Sequence, residues 1–229
     1  MQDLIKQEIF ELEILEYLKN RKLLKDLIFI GGTMLRLCYD LPRYSVDLDF
    51  WFKKKVEFNK FFLKVRNALA QKYIITDSEN KFYTLLFEIK SESYPRKLKI
   101  EIRKKVINSG YELKIAFSKY SNIQVLVDCL DLETTIQNKI ETLIERKEIR
   151  DCFDIEFLIR KGVRIDTSKN NLVKVKQIIE KFKPVDYKVK LGSILEPELR
   201  KYYEKNNFKF LITKINELLN KNEIPQRKL

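Results

Sequence analysis

Apolar and polar residues follow a helical period in some parts of this chain and a strand period in others. Apolar positions three or four residues apart over 3–20 and 56–71 predict two amphipathic helices. Strict alternation over 46–50 and 97–104 predicts strands with one buried face. Further strands are predicted at 27–30, 73–76, 81–90, 111–118 and 122–127, with a polar turn at 77–80. The first half of the chain is therefore predicted to form a sheet flanked by helices.

The pattern becomes helical from Asp131, which is a suitable N-cap residue. One helix is predicted after it, and a second begins near Arg150. Further helices are predicted at 172–182, 196–203 and 208–219, with a frayed tail from Lys221. We therefore expect the α/β (α+β) class with two domains, 1–130 with the mixed sheet and 131–229 with helices only.

Two adjacent glycines mark the first stretch that can carry chemistry. The chain has only five glycines, and Gly31 and Gly32 lie between the predicted strand 27–30 and a predicted helix from about Thr33 to Tyr39. A strand, a glycine turn and a helix start bring unpaired amides and the helix dipole to one place, which suits a phosphate group. The simpler interpretation is a turn without a ligand.

Two aspartates follow on the next predicted strand. Asp47 and Asp49 alternate with apolar residues, so both project from one face with Cα atoms roughly 6.5–7 Å apart. Carboxylates so placed can bind Mg²⁺ together with substrate phosphates. A solvated strand face is the alternative, but two acids facing one way beside a phosphate site would repel each other unless a cation joined them.

The order Gly-Gly-Thr, helix, Asp-x-Asp resembles the DNA polymerase beta-like nucleotidyltransferases. The longer string GGTMLRLCYDLPRYSVDLDF is more similar still to the AbiEii/AbiGii nucleotidyltransferase toxins, with Leu35, Tyr39 and the segment from Arg43 to Phe50 in common. The resemblance implies a nucleotidyltransferase-type mixed sheet and transfer of a nucleoside monophosphate from an NTP with release of pyrophosphate. It also implies Mg²⁺ or Mn²⁺, an RNA acceptor at the 3′ end of tRNA, and a bacterial toxin–antitoxin (abortive infection) system with a cognate antitoxin.

The resemblance also assigns roles to residues of this chain. The metal is expected at Asp47, Asp49 and a third carboxylate, for which Glu101 on the strand 97–104 is the first choice and Glu88 the rival. Lys99 and Arg103 could instead pair with Glu101 as ordinary ions. In the helical half, the pattern Lys139, Arg146, Arg150, Asp151, Asp154 matches the family. Lys139 is expected to support the triphosphate, and Asp154, with Asp151 as the alternative, to orient that lysine or the nucleotide. The nucleotide is expected at Gly31, Gly32, Thr33, Arg43, Ser45, Lys139 and Asp154, and catalysis at Asp47, Asp49, Glu101 and Lys139.

Composition narrows these possibilities further. The chain has no histidine, which excludes Ser-His-Asp and Cys-His catalysis and His-ligated zinc, and the three cysteines are expected to be reduced core residues. The formal charge of +13 favours a polyanionic partner, and the runs Lys53–Lys55 and Arg103–Lys105 follow the two acidic strands. The aromatic residues Tyr202, Tyr203, Phe208 and Phe210 either pack in a core or contact RNA.

Two other functions stay open at this point. The acceptor could be a protein or a small molecule such as an aminoglycoside, or the chain could bind NTP and RNA without turnover. No apolar run is long enough to span a membrane, and the acidic, amphipathic N-terminus does not resemble a signal peptide, so a cytoplasmic protein is expected.

Overall fold

A computed structural model describes residues 2–221. The tail predicted to fray lies, beyond Lys221, outside the described residues. Two compact units divide the chain between Asp131 and Leu132. In the first unit the helices are α1 (Gln2–Asn20), α2 (Gly31–Tyr39) and α3 (Phe58–Ala70). Its strands are β1 (Leu27–Ile30), β2 (Asp47–Phe52), β3 (Ile74–Asn80), β4 (Thr84–Lys90), β5 (Leu98–Val106), β6 (Tyr111–Ala116) and β7 (Val125–Leu130).

The seven strands form one mixed sheet in the order β3-β4-β5-β2-β1-β7-β6. Strand β2 runs parallel to β5, and β1 runs parallel to β7, whereas the other neighbours are antiparallel. The central position of β2 places the aspartate strand between β1, which leads into the glycine pair, and β5, which carries Glu101. The mixed α/β class predicted from the sequence is confirmed.

One face of the sheet is apolar because every second residue of the central strands is buried. On β2, Leu48, Phe50 and Phe52 are at most 1% exposed, while Asp47 and Asp49 on the other face are partly exposed. The ring of Phe50 stacks on that of Phe29 of β1, with centroids 5.3 Å apart. Burial of these side chains fixes the register of β2, since a slip of one residue would bury the acids instead.

The sequence prediction was wrong at one connection. Residues 77–80 were predicted to be a polar turn, but they belong to β3, and the turn to β4 lies at 81–83. Strand β3 is at the edge of the sheet and most of its residues are exposed, so it needs no apolar face. Polar composition therefore did not distinguish this edge strand from a turn.

The second unit is helical over the described residues. Its longer helices are α4 (Leu132–Arg146), α5 (Ile149–Arg160), α6 (Lys169–Glu180), α7 (Pro197–Asn206) and α8 (Lys209–Lys221). Tyr203 and Phe208 are at most 4% exposed, and the Tyr203 hydroxyl donates to the buried Glu156 carboxylate at 3.0 Å. These two rings belong to the core of the unit, as the simpler alternative held. Within residues 2–221, no helix combines the length and apolar character that a membrane span requires.

Candidate active site

Helix α2 begins at the first glycine of the pair, earlier than the sequence predicted. Ile30 is extended and precedes the helix without a side-chain cap. Gly31 has φ +86°, a backbone conformation that glycine adopts without strain. A Cβ atom at Gly31 would lie 2.8 Å from Oδ2 of Asp49, so the aspartate carboxylate lies directly against the start of the helix. The glycine therefore permits both the sharp turn and the close approach.

The second glycine makes room for two predicted nucleotide-binding residues. A Cβ atom at Gly32 would lie 2.5 Å from Nη2 of Arg43 and 2.8 Å from Oγ of Ser45. Arg43 is only 3% exposed, and its Nη1 donates to the carbonyl of Tyr44 at 2.9 Å. The structure thus brings Arg43 and Ser45 to the first turn of α2.

Thr33 connects this turn to the aspartate strand. Its hydroxyl donates to the main-chain carbonyl of Asp47 at 2.6 Å, and the residue is 1% exposed. The side chain predicted to hold phosphate therefore fixes β2 against α2. The group with which Thr33 can bind a phosphate is its main-chain amide, which lies in the first turn of α2.

Register places three carboxylates on one face of the sheet. Asp49 lies opposite Ile30 of β1 and opposite Glu101 of β5, and Asp47 lies opposite Lys99. Neighbouring strands of a sheet lie about 4.7–4.9 Å apart. Glu101 is consequently the acid that lies directly beside the aspartate pair.

Glu88, the rival third carboxylate, is one strand further away. Glu88 is on β4, where it lies opposite Lys99 of β5, and it is not adjacent to either aspartate. Its carboxylate accepts hydrogen bonds from Lys97 and Thr76, both at 2.6 Å, and these bonds lower its pKa. The geometry therefore favours Glu101 over Glu88.

An ammonium group lies among the three acids. Lys99 forms an ion pair with Glu101, as one interpretation of the sequence anticipated. The hydrogen bond to Glu101 raises the pKa of Lys99, although partial burial lowers it. Attraction from Asp47 and Asp49 raises the pKa of Lys99 further. Lys99 thus partly neutralises a cluster that would otherwise be strongly anionic.

The residues fit a divalent cation in kind but do not form a complete metal site. Within the described residues, no three Asp, Glu, Cys or His side chains converge on one point. Asp47 and Asp49 nevertheless supply two carboxylates beside a helix start, and Mg²⁺ binds to one or two carboxylates together with substrate phosphates. The metal would therefore be held by the two aspartates and the nucleotide, and Glu101 would join only after releasing Lys99.

A buried acid on α1 lies near this cluster and was missed from the sequence. Glu11 is 1% exposed, and neither carboxylate oxygen has a hydrogen-bond partner among the described residues. Burial raises its pKa well above 4.5, and the charges of Glu8 and Asp47 raise it further. Its helical spacing among apolar residues was the only signal, because Glu11 lies on the buried side of an amphipathic helix.

In the second unit, four of the five predicted family residues meet between α4 and α5, whereas Arg150 is exposed. Nζ of Lys139 lies 2.6 Å from Asp154 and 3.3 Å from Asp151, and all three side chains are at most 6% exposed. Arg146 donates two hydrogen bonds of 2.7 Å to Asp151. Asp154 and Asp151 therefore both position Lys139, and buried charges of opposite sign balance each other.

Comparison with known proteins gives the fold and the family. The structure is similar to a candidate nucleotidyltransferase from Helicobacter pylori, with 20% identity, a TM-score of 0.54 and coverage of 94% of this chain and 97% of that one. It is also similar to JHP933 from Helicobacter pylori, with 21% identity, a TM-score of 0.52 and coverage of 90% and 94%. At these identities the likeness shows the fold alone. A search of curated protein sequences found no match.

The fold and the family match make this chain a nucleotidyltransferase. It belongs to the family described as "Nucleotidyl transferase AbiEii toxin, Type IV TA system", whose profile matches residues 13–218. The resemblance seen in the sequence is therefore confirmed. Membership implies a nucleotide substrate and an antitoxin partner.

Proposed function

We propose that this protein transfers a nucleoside monophosphate from an NTP to a hydroxyl of RNA, at the 3′ end of tRNA, and requires Mg²⁺ or Mn²⁺. One observation carries the proposal: Asp47 and Asp49 share a sheet face, and the Asp49 carboxylate touches the glycine that starts α2. Acids for a metal and amides for phosphate are thereby adjacent.

The chemistry follows from these positions. The acceptor oxygen forms a bond to the α-phosphorus of the NTP, the bond from that phosphorus to the bridging oxygen breaks, and pyrophosphate leaves. Amides at the start of α2 bind the phosphates, and Asp47 and Asp49 bind the cation. Glu101 takes the proton of the acceptor hydroxyl once it is free of Lys99. When bound, the cation stabilises the negative charge that develops on the transferred phosphate and on the leaving group.

Lys139 has a different place in the proposal. Its ammonium is held by Asp151 and Asp154, so its side chain is fixed before any substrate binds. A fixed lysine can donate a hydrogen bond to a triphosphate without the entropic cost of ordering a flexible chain. We assign it to the nucleotide on the family pattern.

RNA is the acceptor that the charge of the chain supports best. A formal charge of +13 favours a polyanion, and RNA binding would release counterions and depend steeply on salt. A protein or aminoglycoside acceptor would bind with little dependence on salt.

Incubation with each α-labelled NTP and total tRNA tests the proposal. Wild-type protein is expected to label tRNA and release pyrophosphate, and Asp49→Ala to reduce labelling by at least about a hundredfold. Asp77→Asn, an exposed acid on the edge strand β3, is the matched control and should label like wild type. The RNA proposal fails if label appears only on protein or on a small molecule. The catalytic proposal fails if Asp49→Ala equals wild type.

A further inference from the structure

We infer that the end of the sheet at the β3–β4 turn is a binding platform for single-stranded RNA. The platform consists of Phe82 and Tyr83 in the turn and Arg103, Lys104 and Lys105 on β5. Lys81, which is also in the turn, is paired with Glu79 at 3.1 Å. The inference rests on the proposed transfer to RNA and adds the surface that holds the acceptor.

Two aromatic rings in the turn are open to solvent. Phe82 is 82% exposed and Tyr83 is 76% exposed, and no other large apolar side chain is as exposed within residues 2–220. The rings form a perpendicular pair with centroids 4.5 Å apart. Rings so exposed contribute little to a core, but they offer faces on which unpaired bases can stack. In a duplex the base faces are covered, so these rings favour a single strand.

The turn is held in place by β5. The amide of Lys104 donates to the carbonyl of Tyr83 at 2.9 Å, and its ammonium donates to the carbonyl of Lys81 at 2.6 Å. The amide of Lys81 donates to Thr84 at 2.9 Å and closes the turn. The two rings are therefore presented on a fixed turn, which lowers the entropic cost of binding.

Cations available to phosphate lie beside the rings. Arg103 is exposed and lies opposite Thr84, and its side chain makes no hydrogen bond or ion pair within the part of the chain that the structure describes. Lys105 is exposed, and its ammonium lies 3.8 Å from the ring centroid of Trp51, a contact that leaves its charge intact. Basic groups interleaved with aromatic rings are typical of surfaces that bind single-stranded nucleic acid.

The other basic run contributes less to this surface. The ammonium of Lys53 is bound by Asp128 and that of Lys54 by Asp26 at 2.9 Å. These two lysines are already paired, one with an acid of β7 and the other with an acid just before β1. The run on β5 therefore carries more of the charge that RNA would meet.

The platform is also close to the proposed catalytic acids. Arg103 follows Glu101 by two residues on the same strand, so their Cα atoms are about 7 Å apart and their side chains share a face. An RNA strand stacked on Phe82 and Tyr83 could reach Glu101 within a few nucleotides. The platform would thus hold the segment just before the reacting end.

RNA binding without NTP tests the inference. We would measure fluorescence anisotropy of a labelled single-stranded RNA of about twelve nucleotides, and of its duplex, with the full chain. The double variant Phe82→Ala/Tyr83→Ala should weaken single-strand binding at least about fivefold and change duplex binding less. Leu63→Ala, an exposed apolar residue on α3, is the control and should bind like wild type.

The charges are tested by the salt dependence of the same binding. Arg103→Ala and Lys105→Ala should each reduce the slope of log affinity against log salt by about 0.7. Lys60→Ala and Lys64→Ala, exposed on α3, should leave the slope unchanged.

Each outcome decides for or against the platform. Unchanged single-strand affinity in the aromatic double variant would overturn it, and so would equal losses on single strand and duplex. Failure of the proposed function would look different: RNA affinity would still depend on Phe82 and Tyr83, but no label would reach the RNA.

Discussion

Alanine at Gly31 tests the contact between the start of α2 and Asp49. An L-residue at φ +86° costs about 1–2 kcal/mol, because its Cβ approaches the following carbonyl. The new methyl group would also lie 2.8 Å from Oδ2 of Asp49, closer than a real contact, so the carboxylate must move. We therefore expect a loss of about 1–2 kcal/mol in the free energy of unfolding and a displaced Asp49 carboxylate, the proposed metal ligand.

Gly162 separates these two effects. It has φ +89°, but a Cβ atom there would meet nothing within 4 Å. Gly162→Ala should lose stability to a similar extent without disturbing the proposed catalytic acids. Urea unfolding measures both variants, and pyrophosphate release measures activity.

The expected result is an asymmetry between the two variants. Both should lose about 1–2 kcal/mol of stability, and only Gly31→Ala should lose activity, by at least about tenfold. A Gly31→Ala protein that is as stable and as active as wild type would refute the reasoning. Equal loss of activity in both variants would show that strain alone, and not the position of Asp49, governs turnover.

Three further changes follow from buried or clustered charges. Lys139→Met leaves the buried Asp154 without its cation and should cost about 3–5 kcal/mol in urea unfolding. Glu11→Gln should stabilise the protein at pH 7. The folded chain keeps a proton on Glu11 that the unfolded chain has released above about pH 4.5, so the stability of the wild type falls as pH rises above that value. Lys99→Met should raise the affinity for Mn²⁺ about three- to fivefold at low salt, because a competing positive charge is removed. Electron paramagnetic resonance without NTP measures this affinity.

Controls make these three outcomes decisive. The double variant Lys139→Met/Asp154→Asn should recover most of the lost stability without recovering activity, and recovery of both would leave Lys139 a structural residue only. Equal pH dependence of stability in Glu11→Gln and wild type would show that Glu11 ionises normally. Unchanged Mn²⁺ affinity in Lys99→Met would mean that this ammonium does not compete with the cation.

The sequence was most informative where one period determined which face a residue occupies. Asp47 and Asp49 alternate with buried residues, so their shared face followed from the strand period alone. The proximity of Asp49 to Gly31 required the pairing of β1 with β2, which no local pattern contains. The choice between Glu101 and Glu88 likewise depended on the order of strands.

Other features could not be obtained from the sequence for physical reasons. Residues 77–80 form a strand because β4 supplies hydrogen-bond partners, although their side chains are polar. Phe82 and Tyr83 were included in a predicted strand, since an apolar residue type does not reveal exposure. The ion network of Lys139 depends on how α4 packs on α5.

The parallel pairing of β2 with β5 has a consequence for direction. In the common direction of the two strands, Asp47, Asp49 and Glu101, with Lys99 among them, come before Arg103, so the electrostatic potential of their shared face rises along β5. A polyanion on this face meets attraction at one end and needs a metal ion at the other. If RNA is the acceptor, as proposed, this gradient would give the bound chain a polarity, with its reactive terminus leading and its remaining phosphates trailing.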